Sequence, residues 1–461
     1  YRFAGLIASF GLVLYAFLTF FLFWLIGGVL TLPGIAAMLL GIGMAVDANV
    51  INFTRIRDEL KTRKDLKIAY KKGNTESIKT VMDANITTLL VAIILFIFGK
   101  STIKGFATML IISIITTLFV MVFLVRKVLD KMVETNYFND KVSFFVGLKN
   151  KEIHNNFIKN MRIFISIPVV IIIAGIISLF TNKLTLGVEF KGGTSITIQA
   201  EQNLDINQIE NDMKKLNYHI VTIDKIDEKT MDVTIEESLE QDAVLETEKY
   251  FNENYQASTD IGVVSNVVKQ ELVKNAIYAV ILAAISIIIY ISIRYRFSYA
   301  ISGILALMHD LFMMIIFFSI FKLEVTPIFI AALLSIIGYS INNTIVTFDR
   351  IKENLNNKKL KTKEDLQEVV NDSISAIFTR SIITTITTLI PVVVLILVGP
   401  HEILNFNIAL FIGLVAGAYS SLFISSFIWY LIEKNNVGKP PKKKWYEIDE
   451  LEEKRVKGVN S

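Results

Sequence analysis

Ten stretches of largely apolar residues divide this 461-residue chain, and each is long enough to cross a lipid bilayer as a helix. Such a helix needs about 20 residues, because the hydrocarbon core of a bilayer is about 30 Å thick. The stretches comprise residues 3–28, 31–54, 81–99, 104–128, 162–180, 272–293, 297–321, 326–350, 380–399 and 404–432. Charged residues lie mostly between these stretches, as expected where lipid excludes charge. The sequence therefore predicts an all-α polytopic membrane protein with ten transmembrane helices.

The loops indicate how these helices are oriented. Residues 55–79 contain nine Lys or Arg against four Asp or Glu, whereas the loops near residues 27–31 and 99–104 are short and carry little charge. Because basic loops stay on the cytosolic side of a membrane, residues 55–79, the linker 131–161 and the tail 433–461 are predicted to be cytosolic. The number of spans is even, so both termini of this chain are predicted on that side.

Residues 183–270 form a segment on the opposite side that is long enough to fold by itself. The segment is acidic and alternates between strand and helix periodicity. The predicted strands are residues 194–199, 220–226, 230–235 and 261–264, and the predicted helices are 205–216 and 239–250. This order predicts a small α+β extracytoplasmic domain of the ferredoxin-like β-α-β-β-α-β type.

The composition excludes several classes of protein. The chain has no cysteine, which rules out disulfides and thiolate metal sites, and its four histidines are scattered. A net charge of +4 without a basic stripe rich in aromatic residues argues against nucleic-acid binding. A nucleophile with its base, a metal cluster or a nucleotide loop does not occur at a suitable spacing. The chain is therefore predicted not to be an enzyme and to carry no cofactor.

The sequence contains an internal repeat. The Tyr-Arg-Phe of residues 1–3 recurs at 295–297, and residues 43–56 match residues 338–351. Both copies cross the membrane in the same direction, as in the parallel repeats of transporters. We therefore predict two parallel pseudo-symmetric halves. A helix, a domain and another helix precede the second copy at residues 162–293, so we expect corresponding segments before residue 1 in the full-length protein.

Ionisable groups inside the predicted spans are functional candidates, since each costs roughly 2.5–3.5 kcal/mol to insert. Asp47 lies on a stretch rich in Gly and Ala, residues 41–48, that allows neighbouring helices to approach closely. It is expected to face the interior of the bundle. There it can either exchange protons or be locked in hydrogen bonds.

Arg380 begins a second polar stretch, with Thr384, Thr387 and Thr388 following on one helix face. Two interpretations stay open for Arg380. The stripe can hydrate a path or bind a carboxylate, or the guanidinium can extend to the lipid headgroups under the positive-inside rule.

Two further acidic groups lie within predicted spans. His309 and Asp310 are near the middle of their helix, where a polar pairing across helices is expected and proton movement is an open question. Asp83 is close to the predicted start of its helix, so a capping or interfacial role competes with a role in transport.

Several motifs resemble one known family. Residues 43–57 resemble the fourth-helix signature of SecD, residues 338–354 resemble that of SecF, and residues 186–194 are similar to the SecF segment that enters its small external domain. Over nearly its whole length the chain resembles the fused SecDF form of the SecD/SecF family, within the RND superfamily, without the N-terminal part of SecD. The implied units are a SecD-like half at 1–130, a first SecF-like helix at 162–182 and a SecF-like half at 271–432.

The resemblance implies an accessory subunit of the Sec protein translocase in the bacterial cytoplasmic membrane, which uses the proton motive force to assist protein export. Its implied partners are the SecYEG channel, SecA, exported preproteins and membrane lipids, with YajC and YidC-type proteins as further candidates. Two alternatives remain open. One is an RND-type exporter of small molecules or lipids, and the other is a Sec scaffold that is not a motor.

The resemblance also assigns proton passage to particular residues. By position, Asp47 and Arg380 match the SecD carboxylate and the SecF arginine of the proton path. Asn343 stands where the SecF pattern usually has Asp, and an amide cannot titrate. Coupling would then use Asp47, with Asp310 as a second candidate, or the ion would be sodium, which oxygen ligands can bind. The secondary polar candidates inside the spans are Asn49, Asp83, Asn342, Thr384 and Thr387.

Overall fold

A computed structural model describes residues 1–62, 65–135, 137–138, 141–147, 156–358, 360–435 and 437. Within these ranges ten helices are long and apolar enough to cross a membrane, in agreement with the predicted number. The predicted linker 131–161 is described only in part. The predicted tail 433–461 lies outside the described residues beyond residue 437.

The first half of the chain forms four long helices and two short ones. The helices are α1 (Arg2–Leu25), α2 (Leu32–Thr62), α3 (Leu66–Phe98), α4 (Ser101–Thr117), α5 (Arg126–Glu134) and α6 (Val142–Val146). Between α4 and α5 the chain stays helical through a π-helical segment, Leu118–Val125, which we call the first π segment. The fourth span therefore runs without a break from α4 into α5.

The second half contains six spans. Its long helices are α7 (Met161–Thr181), α11 (Asn266–Arg294), α12 (Phe297–Ile320), α13 (Pro327–Asn357), α14 (Lys363–Val398) and α15 (Leu404–Tyr419). A short 3₁₀ turn, His401–Ile403, precedes α15. The last span continues from α15 through a second π segment, Ser420–Ile424, into α16 (Ser425–Glu433).

Two helices are much longer than the spans predicted for them. Helix α3 begins at Leu66 rather than at residue 81, and α14 begins at Lys363 rather than at residue 380. Their first turns are polar, so hydropathy alone does not detect them. Local capping starts both helices: the side chain of Asp65 accepts a hydrogen bond from the Ile68 amide, and Thr362 forms a capping box with Asp365.

The two halves pack through close reciprocal contacts. A Cβ added to Gly43 on α2 would lie 2.8 Å from the side chain of Thr388 on α14. A Cβ added to Gly338 on α13 would lie 3.2 Å from Thr88 on α3. Small residues at these crossings let the helix backbones approach closely. As a result α2 and α13 lie in the interior of the bundle and are its most buried spans.

A small α+β domain lies between α7 and α11. Its elements are β2 (Gly193–Gln199), α9 (Ile206–Lys215), β3 (Ile220–Lys225), β4 (Thr230–Ile235), α10 (Gln241–Tyr255) and β5 (Ser258–Val264). The strands form an antiparallel sheet in the order β3-β4-β2-β5. Ile196 and Val233 on one face of the sheet belong to a buried cluster with Ile209 of α9 and Phe251 of α10. Both helices therefore cover the same face.

The stem of this domain is tied to the membrane part by a short strand pair. Strand β1 (Thr185–Leu186) pairs in parallel with β6 (Glu324–Val325), which lies between α12 and α13. A one-turn helix, α8 (Val188–Lys191), then leads to Gly192 and Gly193, whose φ angles are 80° and 120°. Such φ values favour glycine, so the Gly pair allows the chain to turn from α8 into β2.

Candidate functional site

The centre of the interface between the halves contains a buried ion pair. Arg380 Nη2 on α14 donates a hydrogen bond of 3.0 Å to Asp47 Oδ1 on α2, and the two side chains are only 7% and 4% exposed. A charge-assisted bond of this kind is stronger than a neutral one. Arg380 also lies midway along α14. The guanidinium of Arg380 is therefore bound by a carboxylate of the other half inside the interface.

The threonine stripe on α14 is satisfied within its own helix. Thr384 donates to the Ser381 carbonyl at 3.1 Å, and Thr387 and Thr388 each donate to the Thr384 carbonyl at 2.9 Å. Thr384 and Thr388 are buried, whereas Thr387 is only half-buried. Because these hydroxyls need no partner on another helix, α14 can pack directly against α2.

Two of the candidate residues carry a buried polar atom without a partner. Arg380 Nε and Asn342 Oδ1 are buried and have no hydrogen-bond partner among the described residues. Asn342 occupies the position in the second copy that Asp47 occupies in the first. Asn343 is also buried and lies beside Tyr339. Tyr339 is close enough to Asp47 for the charge of that carboxylate to act on its hydroxyl. Buried polar atoms without partners usually bind water or an ion, so the interface can accommodate a small polar ligand.

Two of the sequence candidates lie away from this ion pair. Asn49 points within its own half, where its Nδ2 lies 3.0 Å from Met121 Sδ of the first π segment. Asp310 is fully buried among His309, Ser340 and Ser420 of the second half. The structure therefore brings Asp47 and Arg380 together, places Asn343 near them through Tyr339, and places Asn49 and Asp310 elsewhere.

Asp83 joins the halves at a different point. It lies midway along α3, so the prediction that it caps the start of its helix is wrong; Asp65 holds that position. Its carboxylate accepts hydrogen bonds from Arg294 Nε at 2.7 Å and Tyr290 Oη at 2.9 Å, both on α11 of the second half. Asp83 thus anchors α3 to α11.

A group of cross-half ion pairs lies toward the predicted cytosolic side, and the sequence candidates did not include it. Arg55 on α2 binds Glu353 on α13, while Arg350 on α13 binds Asp58 on α2 at 3.2 Å and Glu353 at 3.1 Å. Arg55 is two helical turns, about 12 Å, beyond Asp47 along α2. The repeat contained the signal, because the same offset that matches Arg55 with Arg350 also matches Asp58 with Glu353.

Asp349 also joins the two halves near these ion pairs, through hydrogen bonds from neutral hydroxyl groups. Its carboxylate accepts hydrogen bonds from Thr80 Oγ1 on α3 at 2.8 Å and from Tyr295 Oη at 2.9 Å. Thr80 belongs to the first half, whereas Tyr295 and Asp349 belong to the second. The last turns of α2 and α13 and the middle of α3 are therefore held together by polar contacts just beyond the Asp47 site.

Comparison with known proteins identifies the family. The family described as protein export membrane protein SecD/SecF, C-terminal, matches residues 2–135 and 244–435, and the SecD/SecF GG motif matches residues 177–203. The chain belongs to the SecD/SecF family. The matched ranges contain Asp47, Arg380, Asn342 and Asn343.

Individual SecD/SecF proteins agree with this assignment. The chain is 42% identical over 449 residues to the protein translocase subunit SecDF of Bacillus subtilis, covering 93% of this chain and 61% of that protein. It is 38% identical over 279 residues to the protein translocase subunit SecF of Alicyclobacillus acidocaldarius, covering 59% of this chain and 91% of that protein. The chain thus spans about three fifths of the length of the SecDF relative.

A solved SecDF structure has the same fold. The crystal structure of SecDF from Thermus thermophilus, described as a translocon-associated membrane protein, superimposes with a TM-score of 0.84 at 30% identity. The match covers 94% of this chain and 59% of that chain. The ten-helix arrangement and the α+β domain are therefore those of the corresponding part of a SecDF protein.

Proposed function

We propose that this chain is the membrane-embedded part of an accessory subunit of the Sec protein translocase, and that ion flow between its halves assists protein export across the bacterial cytoplasmic membrane. The observation that supports this most directly is the buried pair of Asp47 and Arg380, which joins α2 of one half to α14 of the other. Purely structural helix contacts do not need buried charges, and intramembrane ion pairs usually mark ion pathways.

The ion pair suggests how ion binding is converted into movement. While Asp47 is ionised, it compensates the buried charge of Arg380. When Asp47 takes up a proton, Arg380 is left as an uncompensated buried charge, which a low-dielectric site does not tolerate. The pair then separates and the halves rearrange until the proton leaves. The strand pair of β1 with β6 passes that movement to the α+β domain on the outer side.

The symmetry of the fold belongs to the same proposal. We assign the halves to two parallel pseudo-symmetric repeats, supported by the reciprocal contacts of Gly43 with Thr388 and of Gly338 with Thr88. The π segments, which interrupt the last long helix of each half, support the same assignment. The antiparallel order β3-β4-β2-β5 supports a ferredoxin-like type for the α+β domain.

The environment and partners follow from the family. The basic ends of α2 and α13 are assigned to the cytosol under the positive-inside rule, with both described ends of the chain on that side. The partners are the SecYEG channel, SecA and exported preproteins in contact with membrane lipids, and YajC and YidC-type proteins are further partners to test. The α+β domain then faces the side on which exported proteins emerge.

The coupling ion is a proton in this proposal, and sodium is the alternative. Asn343 has an amide that cannot titrate, so Asp47 is the group at the interface that can carry the proton. Sodium would instead be bound by the carboxylate oxygens of Asp47. Proton coupling predicts that a proton gradient drives the flux, whereas sodium coupling predicts that a sodium gradient does.

Ion flux in inverted membrane vesicles that contain the full-length protein tests the proposal. We expect proton-driven flux in the wild type, loss of flux in Asp47→Asn, and increased flux in Asn343→Asp, which adds a titratable group. The double variant Asp47→Asn with Arg380→Met, which leaves no unpaired charge, should also lose flux. The matched control is Asp260→Asn, which makes the same change at an exposed position of β5.

Two results would contradict the motor function. Flux that persists in Asp47→Asn would remove this residue from the ion path. Protein export that is unchanged in every variant, without measurable proton or sodium flux in the wild type, would indicate a Sec scaffold that is not a motor. Flux that depends on an added small molecule or lipid rather than on an exported protein would indicate an RND-type exporter.

A further inference from the structure

Asp310 is a second carboxylate inside the membrane part, at a distance from the interface between the halves. It lies near the middle of α12 and is fully buried. Ser340 of α13 and Ser420 of the second π segment both donate hydrogen bonds to its Oδ2, the latter at 2.8 Å. His309 Nδ1 lies 3.0 Å from Oδ1. Three separate parts of the second half, α12, α13 and the second π segment, therefore converge on one carboxyl group.

His309 presents one of its two ring nitrogens to the carboxyl of Asp310. Nδ1 faces the carboxyl of Asp310, whereas Nε2 is buried and has no partner among the described residues. In a protonated imidazole both nitrogens carry a proton. A buried N–H of a charged ring without an acceptor is costly, so the tautomer with the proton on Nδ1 is favoured. An Nδ1–H directed at the carboxyl of Asp310 fixes the orientation of that group.

Among the described residues, the groups that contact the buried carboxyl of Asp310 include no Lys or Arg. Its titratable neighbour is His309, and the other groups that contact its carboxyl, Ser340 and Ser420, are neutral. A bare carboxylate inside a membrane protein is strongly unfavourable, so the group either binds a proton or binds a metal cation. We propose that Asp310, Ser340 and Ser420 form a second ion site, confined to the second half, that holds an exchangeable monovalent cation.

The geometry suits a proton or a sodium ion. Three oxygens, one carboxylate and two hydroxyls, lie together, and Ser420 Oγ is also 3.3 Å from the Gly417 carbonyl. Hard cations select such oxygen ligands. Gly417 leaves room for them, because a Cβ at this position would lie 3.2 Å from Ser340 and 3.6 Å from Asp310 Oδ2. The adjacent π segment places Ser420 at the site, and π segments often occur at functional sites.

The first half lacks a counterpart of this site. The repeat matches Asp310 with Ala16, at the offset of 294 of its first segment, and Ser340 with Ala45, at the offset of 295 of its second segment, and neither alanine side chain can bind a cation. The site therefore does not come from the shared architecture of the halves. It also does not depend on ion passage through Asp47, so the proposal stands apart from the proposed function.

Infrared difference spectroscopy of the full-length protein in lipid nanodiscs tests the site directly. In sodium-free buffer we expect the carbonyl stretch of a protonated carboxylic acid that disappears in Asp310→Asn and persists in Asp47→Asn. If the occupant is a proton, this band titrates with pH and ignores sodium. If the site also takes sodium, added sodium removes the band and raises the unfolding temperature of the wild type but not of Asp310→Asn.

Serine variants keep the test informative if Asp310→Asn does not fold. Ser340→Ala and Ser420→Ala each remove one ligand and should shift the carboxyl band or abolish the sodium effect. Ser335→Ala is the matched control, because Ser335 is buried on the same helix as Ser340 and donates only to the Ala331 carbonyl, at 2.7 Å. The absence of a carboxyl band together with an unfolding temperature independent of sodium would overturn the proposal, because the site would then hold neither a proton nor sodium.

Discussion

Arg380 donates a hydrogen bond of 3.0 Å to Asp47, which lies 333 positions earlier in the chain and in the other half of the molecule. Each charge is buried, so each depends on the other for compensation. The stability of the α2–α14 contact is therefore coupled to the charge state of one carboxylate.

Removing one of these two charges should be more destabilising than removing both. An unpaired buried charge costs about 3–5 kcal/mol, whereas replacing both partners by neutral groups of similar volume is often neutral. Asp47→Asn and Arg380→Met are each expected to lower the unfolding temperature in nanodiscs, and the double variant should recover most of the loss. A double variant as unstable as the sum of the single ones would show that the two charges are independent.

The ion pairs between the halves toward the predicted cytosolic side should tolerate a reversal of both charges of a pair but not of one. Glu353→Arg places a third cation beside Arg55 and Arg350, so we expect a lower unfolding temperature and greater ion leakage through vesicles. Adding Arg55→Glu restores the opposite charges and should reverse both effects. Single pairs that are partly exposed contribute only about 0.2–1 kcal/mol, so leakage is the more sensitive measurement.

A matched charge reversal provides the control for this experiment. Glu253 forms an exposed pair with Lys249 on α10 of the α+β domain. Glu253→Arg should change neither the leakage nor the unfolding temperature appreciably. If it acts as strongly as Glu353→Arg, the effect comes from the net charge of the protein rather than from the joint between the halves.

The contact of Gly43 with Thr388 should not tolerate a larger residue. A Cβ at Gly43 would lie 2.8 Å from the Thr388 side chain, and overpacking of this kind typically costs about 1–3 kcal/mol. We expect Gly43→Ala to lower the unfolding temperature and Thr388→Ala, combined with it, to recover part of the loss. Gly5→Ala is the control, since its Cβ would meet only Tyr1 at 3.5 Å on α1. A neutral Gly43→Ala would contradict the tight crossing.

The joint between the α+β domain and the membrane part should tighten as the pH falls. Burial raises the pKa of the Glu189 carboxyl, and burial followed by the charges of Glu189 and Asp224 raises the pKa of the Glu324 carboxyl. Both carboxylates approach Gly187, and the nearby Lys191 counteracts the rise only in part. The state in which β1 is paired with β6 therefore binds protons more tightly than a state in which this pair is separated. The stability of the β1–β6 pair therefore rises as the pH falls through the raised pKa toward the ordinary pKa. This added stability is lost as the pH rises above the raised pKa.

Hydrogen exchange at the amides of β1 measures this dependence after correction for the intrinsic effect of pH. Protection should increase on acidification in the wild type. In the double variant Glu189→Gln with Glu324→Gln, protection should be high at all pH values. Asp260→Asn is again the control, because Asp260 is exposed on β5 and away from the joint. Protection that is independent of pH in the wild type would contradict the prediction.

The sequence predicts the membrane spans well because the apolar runs are long and the hydrocarbon core sets their length. It predicts the helix ends poorly, as α3 and α14 show, because their polar first turns lie outside the apolar runs. The same limitation explains the error at Asp83. With the start of α3 placed at residue 81, Asp83 resembled a capping residue, whereas in the full helix it lies far from either end.

The residues of the Asp47 site are visible in the sequence, but their pairing is not. A buried carboxylate and a buried arginine each signal function, yet only the packing of α14 on α2 shows that they meet. The partners of Asp310 were invisible for another reason: Ser340 and Ser420 are ordinary residues of membrane helices until the second π segment brings them together. A local sequence pattern therefore identifies a charged side chain inside a span, but not the residues of other helices that contact it.

The way the halves are joined has a consequence for how such proteins can be encoded. The contacts between the halves are helix crossings and ion pairs between side chains, and none of those described here requires a continuous backbone between the two partners. The SecF relative corresponds over 91% of its own length to 59% of this chain. The same surface can therefore serve as an intramolecular contact in a fused gene product and as a subunit interface where the halves are translated apart.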